Sequence, residues 1–326
     1  MTHSDAFPDL PENLPGFDPD PARPLALFQA LGLDLPTPFE VVNLPDGMPL
    51  WLKDESQRMG LGAFKALGAP YAVARLIAHH WAAAGRGRLS PDRMTHPDVR
   101  DFAADLTFVA ASAGNHGMGV AAGAEMFGAR ARIYLAETVP QGFDARLQAR
   151  GAVVVRAGAD YEASMQAALA DAEETGAILL SDSSWPDYWR IPALVMEGYT
   201  LMAEEIRAAL TAEGGEAGPH WPTHVFLQAG VGGLAAALAC QIRNSWPVQP
   251  ELVVVEPDRA ACLAAGAAAG HALEIAGPVS NMGRLDCKQA SALALDVLQA
   301  ASVTYVAVSD DEAAAAAAQL TELGFP

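Results

Sequence analysis

Residues 107–183 read TFVAASAGNHGMGVAAGAEMFGARARIYLAETVPQGFDARLQARGAVVVRAGADYEASMQAALADAEETGAILLSDS. This stretch decides the fold. Short apolar, β-rich runs (107–112, 131–136, 152–158 and 177–183) alternate with segments that read as helices from Asn115, near Phe143 and from Tyr161. The strand runs are nearly continuous in apolar residues, as they must be when helices cover both faces of a parallel sheet. The alternation itself is the α/β signature.

The same rhythm continues toward the C-terminus. A helix is expected from Ala193, a strand over 224–230, a helix from Leu234 and a strand over 251–257. A helix from Arg259, a strand over 303–309 and a last helix over 310–323, stopped by Gly324, complete the pattern. The chain therefore reads as two open, mostly parallel twisted sheets flanked by helices, with a linker around 185–192. Open α/β sheets bind ligands beyond the carboxyl ends of their strands, so the loops after those ends are the places to look for chemistry.

Composition narrows the function. The 326 residues allow two domains of ordinary size. A 51% apolar share with 18% charged residues is far from the disordered class. The net charge of −19 repels a phosphate backbone and argues against nucleic-acid binding. Residues 1–20 have no basic region followed by an apolar one, so they do not read as a signal peptide. No apolar run reaches the ~18 residues of a membrane span. Three cysteines without CxxC spacing suggest neither a disulfide framework nor a zinc site, and they fit a reducing cytoplasm. No metal is expected. Of the 20 basic residues only Lys53, Lys65 and Lys288 are lysines, so any chemistry that needs an amine has three candidates.

Lys65 stands in Ala63-Phe64-Lys65-Ala66-Leu67-Gly68, the apolar start of a helix. It reads either as a snorkelling surface lysine or as a desolvated amine with a lowered pKa, which Schiff-base chemistry uses. Lys53 closes an expected strand beside Asp54 and Glu55, and reads as ion-paired and structural. Lys288 lies in the polar loop 283–288. The loop Gln228-Ala229-Gly230-Val231-Gly232-Gly233 joins a strand to a helix and suits an anion. It lacks the Lys-Ser/Thr of a phosphate-hydrolysing loop. Three readings stay open for it: a dinucleotide pyrophosphate with Glu256 on the ribose, a single phosphomonoester, or a tight turn with no ligand. Ser112-Ala113-Gly114-Asn115-His116-Gly117 also joins a strand to a helix. Ser112 is expected to cap that helix, and free amides there suit a carboxylate.

Together these pieces resemble a known family. A Phe-Lys pair, then Ser-Ala-Gly-Asn-His-Gly, then a later glycine-rich loop, is similar to the ordered set of pyridoxal-phosphate enzymes of the tryptophan-synthase-β fold (fold type II). Within it, Leu52-Lys53-Asp54-Glu55-Ser56-Gln57-Arg58, Asp182-Ser183-Ser184-Trp185, Glu197-Gly198-Tyr199 and Val255-Glu256-Pro257-Asp258 most resemble diaminopropionate ammonia-lyase. The Ser-Ala-Gly-Asn-His loop looks like serine/threonine dehydratases.

The resemblance implies pyridoxal 5'-phosphate as cofactor, an amino acid as substrate and a homodimer. Lys65 would carry the cofactor and act as the α-proton base. Asn115 would contact the cofactor's phenolic oxygen, and the amides of Gly230, Val231, Gly232 and Gly233 would hold its phosphate. The loop Ser112, Ala113, Gly114, Asn115 would receive the substrate carboxylate. Asp182 would be catalytic, with Tyr188 a weaker candidate and Arg284 or Lys288 reading an extra acidic group. A large cofactor domain would comprise 1–99 and 186–326, and a small domain 100–185.

The expected reaction is α,β-elimination of a diaminopropionate-, serine- or threonine-like amino acid to a 2-oxo acid and ammonia. Rival readings are β-replacement, racemisation, a nicotinamide-dependent dehydrogenase using Glu256, and a silent binding protein. Two departures bear on this. Ala113 replaces the acidic residue that the ammonia-lyase pattern carries before Gly-Asn-His-Gly. Family members also continue beyond the point where this chain stops, which implies that the group facing the pyridine nitrogen lies further on.

Overall fold

The computed structural model describes residues 6–10, 16–33, 36–215 and 220–325. Parts of the N-terminal stretch read above for a targeting signal, 1–5 and 11–15, lie outside the described residues. In chain order the elements are α1 Ala22–Ala30, β1 Phe39–Asn43, β2 Pro49–Lys53, α2 Lys65–Ala83, α3 Pro97–Ala103, β3 Thr107–Ala111, α4 Asn115–Phe127, β4 Arg130–Leu135, α5 Gly142–Gln148 and β5 Val153–Arg156. Then follow α6 Tyr161–Thr175, β6 Ile178–Leu179, α7 Arg190–Gly214, β7 His224–Gln228, α8 Gly233–Ser245, β8 Glu251–Pro257, α9 Cys262–Ala269, α10 Ala292–Ala300, β9 Thr304–Val308 and α11 Asp310–Glu322.

Two parallel sheets form, as the alternation predicts. One has the order β5-β4-β3-β6 and the other β7-β8-β9. A separate antiparallel pair, β1-β2, precedes them. Local chemistry sets several boundaries. The Asp160 side chain accepts from the Ala163 amide at 2.8 Å and starts α6, and Gly176 ends it at φ +73°. Ser309 and Glu312 form a reciprocal capping box on α11.

Three boundaries differ from the sequence reading. Helix α7 starts at Arg190 rather than Ala193, because Pro192 falls in the first turn, where its missing N–H costs nothing. The linker read over 185–192 is therefore shorter. Helix α9 starts at Cys262, after a 3-10 turn Asp258–Ala260. The last strand of the first sheet keeps only Ile178–Leu179.

Helix α2 lies between α4 and α7 and is buried along most of its length. Leu67 and Ile77 have no exposed surface, and burying each contributes about 1.5–3 kcal/mol. The close crossings are built from glycine. A Cβ on Gly198 of α7 would stand 2.4 Å from the Leu67 carbonyl, and one on Gly119 of α4 would stand 2.9 Å from the Lys65 carbonyl. Both helices thus press their backbones onto the first turns of α2 and fix where Lys65 begins.

Buried charge braces the segment that leads into Lys65. Arg58 is 2% exposed. Its guanidinium donates to both Glu55 oxygens at 2.7 and 2.6 Å and to both Glu205 oxygens at 2.7 Å. Lys53 completes the cluster. It is ion-paired, as its surroundings suggested, but its Nζ partner is Glu205 at 2.6 Å, and it also donates to the Thr37 carbonyl at 2.7 Å. Two turns earlier on α7, Glu197 accepts from Tyr71 at 2.7 Å, Arg75 at 3.0 Å and Arg23 at 2.8 Å. That set ties the N-terminal segment to the core.

Candidate active site

The carboxyl ends of β3, β6 and β7 and the N-terminus of α2 meet at one place. Lys65 is the first residue of α2. Its Nζ pairs with Asp182 Oδ2, the two side chains being 21% and 19% exposed. The Phe64 ring centroid lies 5.3 Å from Nζ and that of Tyr199 lies 5.6 Å away, so the ammonium is also held over aromatic faces.

The pKa of Lys65 corrects an expectation. Burial would lower it, as the sequence reading supposed. The Asp182 charge and hydrogen bond, together with Tyr199, outweigh burial and hold the amine above its ordinary range. Asp182 shifts reciprocally. Burial would raise it, but His116 and Lys65 hold it well below the usual carboxylate range. Asp182 thus stores a proton on Lys65 next to itself. The amine becomes a nucleophile only once that proton has been handed on.

His116, second residue of α4, is buried beside the pair. Its Nε2 lies 2.9 Å from the Leu180 carbonyl, and its Nδ1 lies 3.8 Å from Asp182 Oδ2. Tyr188 does not reach the site as a proton carrier. Its hydroxyl donates to the Leu179 carbonyl and accepts from the Ser181 amide, both at 2.9 Å, and its ring stacks on Trp185 with centroids 4.2 Å apart. It braces the loop that presents Asp182.

The glycine-rich loop stands next to the amine. A Cβ on Gly233 would lie 3.7 Å from the Asp182 carbonyl. On Gly230 it would lie 2.9 Å from Cys287 Sγ, and on Gly232, at φ +98°, 2.8 Å from Leu263. At Gly230 and Gly232 there is no room for a side chain, so the loop offers backbone there. No side chain caps α8, leaving its first-turn amides without intrahelical acceptors. That end favours an anion. A primary amine and an anion cradle are therefore bridged by a single residue, Asp182. The arrangement suits one ligand that carries both a carbonyl and a phosphate.

The loop after β3 forms the third wall. Its predicted cap is corrected: Gly114 is the N-cap of α4, and Ser112 Oγ accepts from the Gly114 amide at 3.2 Å rather than from a helix amide. The first-turn amides of α4 therefore remain available to a carboxylate. Asn115 opens that helix, half-buried, and its side chain has no hydrogen-bond partner among the described residues. Ala113 packs against the core.

Two further candidates are corrected. Glu256 is not placed for a ribose. It is 1% exposed and its carboxylate accepts from the Leu263 and Ala264 amides at 2.7 and 2.9 Å, capping α9. The dehydrogenase reading loses its acid. Lys288 Nζ is committed to Asp286 at 2.6 Å and to the carbonyls of Arg259 and Pro278 at 2.8 and 2.9 Å. Arg284 is exposed, and its carbonyl lies 3.4 Å from a Cβ built on Gly230.

Three residues escaped the roles assigned from sequence. Tyr199 was legible only as part of Glu197-Gly198-Tyr199. Cys287 and Tyr161 give no sequence signal at all, yet both face the Lys65–Asp182 pair. Among the described residues, no helix is long and apolar enough to cross a membrane, and no group of His, Cys, Asp and Glu could hold a metal.

Comparison with known proteins agrees with this geometry. Diaminopropionate ammonia-lyase of Escherichia coli (strain K12) is 29% identical over 287 residues, which cover 86% of this chain and 69% of that protein. The enzyme of the same name from Salmonella typhimurium (strain LT2) is 33% identical over 77% of this chain and 58% of its own. The crystal structure of the holo Escherichia coli enzyme superposes with a TM-score of 0.76 at 25% identity, covering 94% of this chain and 78% of that one. The processed threonine deaminase isoform 2 of Solanum lycopersicum shares the fold, with a TM-score of 0.70 at 22% identity over 97% of this chain and 84% of its own. The family described as "Pyridoxal-phosphate dependent enzyme" matches residues 32–325. The Lys65 amine, the uncapped α8 and the glycine-rich loop beside it fit that cofactor, and the chain belongs to the family of pyridoxal-phosphate dependent enzymes.

Proposed function

We propose that this chain is a lyase that carries out α,β-elimination on a β-substituted amino acid of the diaminopropionate, serine or threonine type, releasing a 2-oxo acid and ammonia. The observation that carries this reading is the Lys65–Asp182 pair lying against the uncapped N-terminus of α8. Bound pyridoxal 5'-phosphate supplies an electron sink for the charge left when the α-proton departs. The chain's own residues do the rest. Lys65 holds the cofactor and removes the α-proton at Nζ. Asp182 keeps that nitrogen in register and balances its positive charge. The amides of Gly230, Val231, Gly232 and Gly233 hold the phosphate, Asn115 contacts the ring oxygen, and the loop from Ser112 to Asn115 receives the substrate carboxylate. In this reading the enzyme works as a cytoplasmic homodimer, with 100–185 as its small domain and 1–99 with 186–326 as its large one.

Ala113 sharpens the proposal. A methyl group cannot transfer a proton, so a second acid/base on the opposite side of the substrate is missing. The enzyme should act on one enantiomer of diaminopropionate. The test is to supply each enantiomer of diaminopropionate and of serine, and to measure 2-oxo acid and ammonia. From one enantiomer, diaminopropionate should give two ammonia per 2-oxo acid, the β-amine and the α-nitrogen, and serine should give one; Ala113→Asp should raise turnover of the other enantiomer at least tenfold. Racemised substrate or a β-replaced amino acid, without oxo acid, would overturn the reaction class.

A further inference from the structure

His116 has two nitrogens in very different positions. It is 5% exposed. The Leu180 carbonyl, 2.9 Å from Nε2, has no proton to give, so Nε2 carries N–H in every state. Nδ1 is buried and has no hydrogen-bond partner among the described residues. It faces Asp182 Oδ2 at 3.8 Å, the same oxygen that pairs with Lys65 Nζ. One carboxylate oxygen therefore lies between two nitrogens.

The remaining titratable groups facing Asp182 cannot compete. Tyr188, Tyr199 and Cys287 are pushed up by burial, Tyr199 to about 12 and Cys287 to about 11, and the more exposed Tyr161 is raised by partial burial and the Asp182 charge. They stay neutral at pH 7. Among the described residues, only Lys65 and His116 can place a positive charge against this carboxylate.

We propose that His116 is the alternate proton partner of Asp182: Nδ1 is bare while Lys65 is an ammonium, and takes up one proton from solvent whenever Lys65 is not. The ring then passes from neutral to +1, turns an N–H toward Oδ2, and keeps Asp182 ionised and in place. Burial holds His116 below its ordinary value, the Asp182 charge works against that, and the Lys65 charge adds to the lowering, so losing the Lys65 charge moves the ring toward protonation. His116 is on this account a positioning residue. It acts through Asp182 and does not touch the substrate.

The proposal rests on the reading of Lys65 as the cofactor lysine only for the loaded enzyme; in the cofactor-free chain it stands on geometry alone. The test is imidazole 15N NMR of the full chain labelled at histidine, with the His116 signals assigned by their loss in His116→Gln. In cofactor-free wild type at pH 7, Nε2 should be protonated and Nδ1 bare. In cofactor-free Lys65→Met, Nδ1 should be protonated too, with the ring pKa raised by at least one unit. Adding Asp182→Asn should remove that rise. A ring that stays neutral in Lys65→Met, with the proton on Asp182 instead, would overturn the proposal. So would a wild-type ring protonated on Nδ1 and bare on Nε2. If Lys65→Met does not fold, cofactor-free Lys65→Ala supplies the same comparison, and a ring still neutral there would overturn the proposal. Loss or retention of the cofactor's visible absorbance in Lys65→Met reports separately on the cofactor lysine.

Discussion

Lys65→Ala should yield a folded but colourless protein with kcat lowered on the order of a thousandfold or more, the scale of losing a positioned general base. Three facts make the effect large. The amine is the attachment point for the cofactor, it is the base closest to Asp182, and no other lysine can replace it. Lys53 is fixed between Glu205 and the Thr37 carbonyl. Lys288 is fixed by Asp286 and two carbonyls. The substitution also removes one of the two groups that hold Asp182 low and leaves His116 as the other, so its pKa should rise toward the usual carboxylate range. Absorbance spectra and single-turnover product formation check the expectation. A coloured, active Lys65→Ala protein would remove the basis of the assignment.

Arg58→Ala should be the most damaging substitution away from the site. Arg58 satisfies Glu55 and Glu205 with paired hydrogen bonds while almost wholly out of water. Removing it leaves buried carboxylates, of which only Glu205 keeps a cation, Lys53. Breaking such a pair from one side costs about 3–5 kcal/mol. Urea unfolding should therefore show a much lower midpoint with an unchanged slope. Arg58→Lys should recover little, because a point charge cannot reproduce a fork that serves two carboxylates at once. The cluster also closes the turn that runs into Lys65. Cofactor affinity should fall along with stability.

How far the sequence could be read follows from how local each determinant is. The strands of the first sheet announce themselves because their runs, such as Thr107–Ala111, are apolar on both faces. Lys65 stood out because an amine in an apolar helix start needs a reason. The Gly230 loop stood out because glycines between strand and helix mean close backbone approach. Pairings across the chain were invisible. Arg58 and Glu205 are 147 residues apart, and Lys65 and Asp182 are 117 apart. The latter pairing reversed the expected direction of the Lys65 shift, since a neighbour unknown from sequence outweighs burial. Glu256 misled for another reason. An acid at a strand end suits a ribose hydroxyl and suits the amides of a following helix equally well, and only the position of α9 decides. Ser112 was similar: its hydroxyl takes an amide two residues on, a choice that turn geometry makes and composition does not.

The central claim is that Lys65, among three lysines, holds the cofactor. Borohydride reduction of the cofactor-loaded protein, followed by proteolysis and mass spectrometry, tests it most directly. Reduction converts the lysine–cofactor imine to a stable secondary amine, which marks the residue that held it. The account predicts one pyridoxyl label per chain, on the peptide that contains Lys65. A label on Lys53 or Lys288, or no label on a protein that binds the cofactor and turns over amino acids, would contradict it.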